Sequence, residues 1–187
     1  MEGKVKVWDI WVRIFHWSLL ALMGAAYLLS DDFLTAHAYA GYVILFLLAG
    51  RVVWGFVGTR HARFADFVYP ARKVAGFMRD MTRFRHARYL GHNPAAGAMV
   101  IALIALVGST ALTGVMVYGM NEAAGPFSSL ASVAWRYGDP LEDIHSLFAW
   151  ATLAFAGVHV LAAALESLHY RENLVAAMIT GYKKKDL

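Results

Sequence analysis

Residues 142–160 read EDIHSLFAWATLAFAGVHV, and this stretch decides the fold. It lies within an apolar run from about 141 to 165, and crossing a bilayer as a helix takes roughly 20 mostly apolar residues. It also carries His145 and His159, and an ionisable residue inside such a run is costly and usually functional. The two histidines are 14 positions apart. At ~100° and ~1.5 Å per residue they differ by about 40° in azimuth and by roughly 21 Å along the axis. One face of one helix therefore presents an imidazole at two depths.

Three further runs qualify as spans, at about 11–30, 37–57 and 95–118. The 187 residues are 59% hydrophobic and 16% charged, with a mean hydropathy of +0.50. Soluble domains are about 45–50% apolar and a quarter charged. A soluble enzyme is excluded, and the sequence predicts an all-α membrane protein, a bundle of four transmembrane helices forming one domain over 1–187. The first run is longer than the roughly 7–15 apolar residues of a secretory leader. It contains Arg13 and His16 and passes directly into Asp31 and Asp32, so it is expected to be retained.

Orientation follows from the basic residues, which concentrate on the cytoplasmic side. Lys4, Lys6 and Arg13 precede or open the first run, nine arginines and lysines from Arg51 to Arg88 surround the connection at 58–94, and Arg171 with Lys183 to Lys185 follows the fourth. Only Arg136 falls on the other side, with Asp31, Asp32, Glu122, Asp139, Glu142 and Asp143. Both termini are thus expected in the cytoplasm. The basic excess, with its pI near 9.4, reads as topology and contact with membrane lipid rather than a nucleic-acid site. Within the connection, Val74, Phe77, Met78, Met81 and Phe84 recur near helical spacing among basic residues, which predicts a short helix lying in the interface. Residues 172–181 are expected to do likewise through Leu174, Val175, Met178 and Ile179.

With no cysteine, disulfides, thiolate-ligated metals and covalently attached haem are ruled out. Histidine is left as the ligand. Alternating topology puts His16 at the depth of His159, and His37, at the outer start of the second span, at the depth of His145. Two histidines alone do not complete a bare metal site. A haem brings four nitrogens of its own, so an axial pair completes six-coordination, and its flat macrocycle suits the space between bundle helices. The pairs His16/His159 and His37/His145 therefore predict two noncovalent b-type haems. Arg51, 14 residues after His37, either pairs with a haem propionate or snorkels to the surface as an anchor. Gly24, Gly41, Gly114 and Gly157 either make room for a macrocycle or serve ordinary helix packing. His61, His86 and His92 read as solvated residues of the connection, and His169, near Glu166, as a surface residue.

The segments VWDIWVRIFHW (7–17), AHAYAGY (36–42), RVVWGFVGTRHARFADF (51–67), EDIHSLFAWATLAFAGVHV (142–160) and ESLHYRENLVAAMITG (166–181) together resemble the bacterial cytochrome b561 and nickel–iron hydrogenase cytochrome b group. The resemblance covers nearly the whole chain. It implies axial ligands from spans one, two and four, which map onto His16, His37, His145 and His159. It also implies electron transfer in the bacterial plasma membrane between quinone and a periplasmic partner, either a soluble cytochrome c or a dehydrogenase or hydrogenase subunit. The compact chain is expected to be free-standing or coupled to cytochrome c, because hydrogenase-type subunits tend to be longer. His169 or a connection histidine exchanging protons beside a quinone is the other reading of those residues. Two rival functions follow from the same features. A superoxide:quinone oxidoreductase would need a cationic outer face, whereas the outer loops are acidic; a haem-free metal or proton transporter would leave the depth-matched pairs unexplained.

Overall fold

The computed structural model describes residues 3–29, 33–83 and 85–185. Asp31, Asp32 and Phe84, used in the sequence reading, lie outside the described residues. Four long helices are α1 (Ile10–Leu29), α2 (Leu34–Val57), α5 (Pro94–Glu122) and α6 (Ala134–His169). Each is long and apolar enough to cross a membrane. Their outer faces stay apolar and exposed, as at Leu28 (85%), Phe46 (78%) and Trp150 (70%), which is costly in water and natural against lipid. Short elements complete the chain: β1 (Lys4–Lys6), α3 (Phe64–Phe67), α4 (Ala71–Thr82), α7 (Leu174–Thr180) and β2 (Tyr182–Lys184).

Helix α6 begins at Ala134, before the apolar run that opens at about 141, and Pro140 sits inside the helix. A 3₁₀ segment, Ser128–Val133, leads directly into it. Proline removes one backbone donor and crowds the carbonyl four residues back, and here the helix absorbs that loss close to its first turns. Helix α4 forms over the predicted amphipathic stretch, with Met78 exposed and Phe77 buried. Phe77 packs its ring edge-on to His86 and Tyr89 rather than outward. Helix α7 is bounded by Asn173, whose Oδ1 accepts from the Ala176 amide, and by Gly181 at φ 89°. That left-handed conformation suits glycine.

The chain divides into two compact units. One comprises 16–50 and 103–154. Its core includes Ala40, Ile44 and Leu48 of α2, and Val107, Ala111 and Val115 of α5. In both helices these residues recur every fourth position, the spacing of a single buried seam. Thr110 and Thr152 meet at 2.9 Å between their hydroxyls, so each polar group is satisfied without water.

The other unit comprises 1–15, 51–102 and 155–187, and it carries the basic segments. A two-stranded antiparallel sheet joins its ends, pairing Lys4 with Lys184 and Lys6 with Tyr182. Strands of three residues rich in lysine give no alternating signal, so this pairing is absent from the sequence reading. The charge is balanced by buried Glu172 (6% exposed). Its carboxylate accepts from Arg88 Nη2 at 2.8 Å and from the Lys184 amide at 3.0 Å, with Lys183 Nζ at 3.6 Å. Burial would raise the Glu172 pKa, but these cationic partners outweigh it and hold the carboxyl below its usual range.

Asp9 is the second buried carboxylate. It caps α1 by accepting from the Val12 amide at 2.9 Å through Oδ1, while Oδ2 accepts from Trp54 Nε1 at 3.0 Å and Thr59 Oγ1 at 2.5 Å. Burial favours the neutral acid, yet the hydrogen bonds from Thr59, Val12 and Trp54 prevail and lower its pKa below 3.8. Asp9→Ala should destabilise the protein by about 2–4 kcal/mol, through the lost cap and two donors left without their acceptor. A group with a depressed folded pKa stabilises above its unfolded value and loses that contribution as pH falls through the folded one. Thermal unfolding in detergent should therefore show wild type losing stability as pH drops below 3.8, and Asp9→Asn losing less over the same window.

Candidate functional site

His37 lies in the first turn of α2 and His145 on α6, both within the 16–50 and 103–154 unit. His37 Nδ1 lies 2.8 Å from the Ala26 carbonyl oxygen of α1, and His145 Nδ1 lies 2.9 Å from the Thr110 carbonyl oxygen of α5. A carbonyl can only accept, so in each ring Nδ1 carries the proton and donates it. Each Nε2 then keeps its lone pair, the arrangement that metal-ligating imidazoles use. The ring centroids are 6.0 Å apart, with planes at 87°. Metal–imidazole bonds of about 2.0–2.1 Å place the centroids of two opposed rings roughly 6 Å apart, once the ring radius is added.

Gly114 on α5 makes this position of His145 accessible. A Cβ there would lie 2.7 Å from His145 Cε1 and 3.1 Å from Nδ1. Gly41 is in ordinary packing range, with a Cβ 3.4 Å from Val115 Cγ1, while Gly24 and Gly157 have nothing within 4 Å of that position. The four glycines thus divide between one close approach, one packing contact and two open faces.

His16 belongs to the same unit as His37 and His145, and its ring lies edge-on to Trp17 at 5.2 Å. His159 and Arg51 belong to the other unit. His159 is half-buried. Arg51 is 5% exposed, with its guanidinium carbon 5.4 Å from the Phe64 centroid and 5.9 Å from that of Phe67. This corrects the anchor reading, since a snorkelling arginine keeps its head group in water. Arg51 Nη1 is buried and has no hydrogen-bond partner among the described residues.

Three histidines of the connection also depart from expectation, because aromatic and acidic side chains enclose them. The His86 side chain is 4% exposed, with Nε2 3.0 Å from Glu166 Oε1, and its ring stacks on exposed His169 at 4.8 Å. His61 is 18% exposed, with Nδ1 2.8 Å from Asp66 Oδ2. His92 is held between Trp8 at 4.7 Å and Phe67 at 4.6 Å, and its Nδ1 is buried. Burial, then the nearby charge of Arg51 and Lys183, lowers the His92 pKa to about 3. Asp66 is close to His61 in the chain, whereas Trp8 and Glu166, which enclose His92 and His86, are contributed from distant positions.

Among the described residues, no group of three or more His, Cys, Asp or Glu could hold a bare metal ion. Two histidines with free Nε2 lone pairs fit an ion that arrives with four other ligands, as haem iron does.

Comparison with known proteins agrees. The family model described as prokaryotic cytochrome b561 matches residues 7–181. A probable Ni/Fe-hydrogenase B-type cytochrome subunit of Rhodobacter capsulatus is 28% identical over 96% of this chain and 81% of its own length. Proteins named in the same way from Bradyrhizobium diazoefficiens (27%; 96% and 86%) and, as the subunit of hydrogenase 1, from Escherichia coli K12 (25%; 97% and 88%) are similar too. No solved structure matches the chain.

Gly114→Ala should push the His145 ring off its carbonyl partner, since the added Cβ meets the ring rather than a flexible tip. The expected result is a lower haem content per chain, with helix content by circular dichroism unchanged; a wild-type haem content would show that the ring has another place to go.

Proposed function

Because this chain belongs to the prokaryotic cytochrome b561 family, we propose that it carries single electrons across the membrane through two b haems, between the quinone pool and a redox enzyme on the outer face. It is a multi-pass bacterial membrane protein of electron transfer, a b-type cytochrome that holds haem b. The finer parts of the proposal rest on this chain's own residues. His37 and His145 hold the outer haem, and His16 and His159 the inner one, nearer the basic cytoplasmic side. The observation that carries the reading is the pair of carbonyls, of Ala26 and Thr110, that take both Nδ1 protons and leave each Nε2 its lone pair.

When bound, a haem supplies a one-electron couple between ferric and ferrous iron. The protein supplies axial ligation, burial and local charge, which set the potential. Thr110 and Ala26 fix the ring tautomer and orientation, so the ligands need no rearrangement when the iron changes charge. Gly114 keeps the α5 surface clear of the His145 ring. Arg51, buried near the basic end of α2, offers a guanidinium to an inner-haem carboxylate.

For the outer partner, the similar proteins are named as cytochrome subunits of nickel–iron hydrogenases, which supports a redox enzyme docked on that face over a diffusing cytochrome c. A superoxide-oxidising activity finds no support, because only Arg136 offers a positive charge on the outer side. A haem-free transporter does not fit membership in a b-type cytochrome family.

Reduced-minus-oxidised spectra of the purified protein should show low-spin b-type bands from two haems per chain. His145→Ala and His159→Ala should each lose about one of the two. Retention of both haems in either variant would overturn the corresponding pair.

A further inference from the structure

Arg51 and His92 present a common problem within the unit that carries the basic segments. Arg51 is a buried cation, and a buried charge is stable only when it is paired and hydrogen-bonded. Asp9 acts on it through charge, but both Asp9 oxygens are engaged by Val12, Trp54 and Thr59. Arg51 Nη1 and His92 Nδ1 are both buried without a hydrogen-bond partner among the described residues. Both groups pack on one ring, fully buried Phe67, the guanidinium at 5.9 Å and the imidazole at 4.6 Å. Two orphaned polar groups beside one apolar ring call for an acceptor that brings negative charge.

Local sequence fixes His92 in place. Asn93 caps α5 by accepting from the Ala96 amide at 2.8 Å, and Pro94 occupies the first helical position, where its missing donor costs nothing. A Cβ at Gly97 would lie 2.1 Å from the Phe67 carbonyl oxygen, so α5 starts hard against the segment that carries Phe67. His92, one residue before the cap, is clamped between Trp8 and Phe67. Its ring is neutral at physiological pH and can donate one N–H.

We infer that His92 and Arg51 form one anion site that takes a propionate carboxylate of the inner haem, with the guanidinium supplying charge and the imidazole a directed hydrogen bond. The inference rests on the proposed His16/His159 haem and extends it to a positioning residue in the connection. The placement on α2 supports it: Arg51 follows His37 by 14 residues, about 40° around the helix and roughly 21 Å along it, so it shares the face of an axial ligand one haem level deeper. A phosphate, from lipid or from solution, presents the same chemistry, and the test separates these sources.

Both haem potentials are titrated spectroelectrochemically in wild type, His92→Phe, His92→Gln and Arg51→Gln. His92→Phe keeps the aromatic contacts and loses the donor; His92→Gln keeps a donor. Without the donor, the carboxylate charge is less compensated and ferric iron is favoured. One haem should then shift toward the oxidised form by about tenfold at fixed potential, ~59 mV for a one-electron couple. The other haem should be unmoved, and His92→Gln should behave as wild type. Loss of one haem in His92→Phe but not in His92→Gln supports the same assignment. Unchanged potentials in both His92→Phe and Arg51→Gln would overturn it, as would loss of haem in both His92 variants. Phosphorus bound per chain that disappears in these variants at constant potentials would assign the site to phosphate instead, from lipid if organic extraction recovers it with acyl chains. If the underlying haem reading is at fault, wild type itself holds fewer than two haems or His159→Ala keeps both, which marks that failure separately.

Discussion

Two backbone carbonyls, of Ala26 and Thr110, determine what His37 and His145 can do. A neutral imidazole has one proton and one lone pair, and its neighbours decide which nitrogen has which. In a membrane span a polar atom without a partner is expensive, so each Nδ1 proton goes to a carbonyl on a neighbouring helix. That exchange satisfies the ring and leaves Nε2 as its remaining basic atom. The 6.0 Å separation of the rings and the glycine at 114 then follow as steric conditions. A Cβ at position 114 of α5 would occupy the space the imidazole needs.

The unit with the basic segments solves the opposite problem, an excess of positive charge within a small folded volume. Two buried carboxylates organise it. Glu172 gathers Arg88, Lys183 and the Lys184 amide, tying α7 and the terminal sheet together. Asp9 joins the start of α1 to the end of α2 through Trp54 and Thr59. Asp9 acts on Arg51 through its charge, while its two oxygens accept from Val12, Trp54 and Thr59. Arg51 Nη1 therefore keeps no hydrogen-bond partner among the described residues.

The four long helices were legible because a span needs length and apolarity, and both are local properties of the sequence. The closeness of His37 and His145 was legible for a related reason, since alternating direction converts position along each run into depth. Other features depend on contacts between distant residues. His92 stands in a polar, arginine-rich stretch, and only Trp8 and Phe67, contributed from elsewhere in the chain, reveal it as enclosed. His86 is likewise hidden by Phe77 and Glu166. The β1–β2 pairing joins residues almost a full chain apart, with no periodicity to announce it. The early start of α6 lies outside the apolar run read from the sequence, because its first residues include Arg136, Asp139 and Pro140 and are helical without being uniformly apolar.

A seven-residue rhythm links these observations. On α6, His145, Thr152, His159 and Glu166 fall at successive intervals of seven, and two turns of an α-helix return to nearly the same azimuth, about 20° short. Three of these positions have described polar partners: His145 at the Thr110 carbonyl, Thr152 at the Thr110 hydroxyl and Glu166 at His86. On α2 the same interval connects His37, Ile44 and Arg51, the last two among the most buried residues of that helix. A polar stripe at this period cannot face lipid without cost, so it defines the inward face of each helix as firmly as an apolar stripe would in a soluble protein. It also sets a fixed axial interval between the groups placed on it. A helix is stiff over this length, so the interval between groups on one stripe is written into residue spacing rather than left to loops.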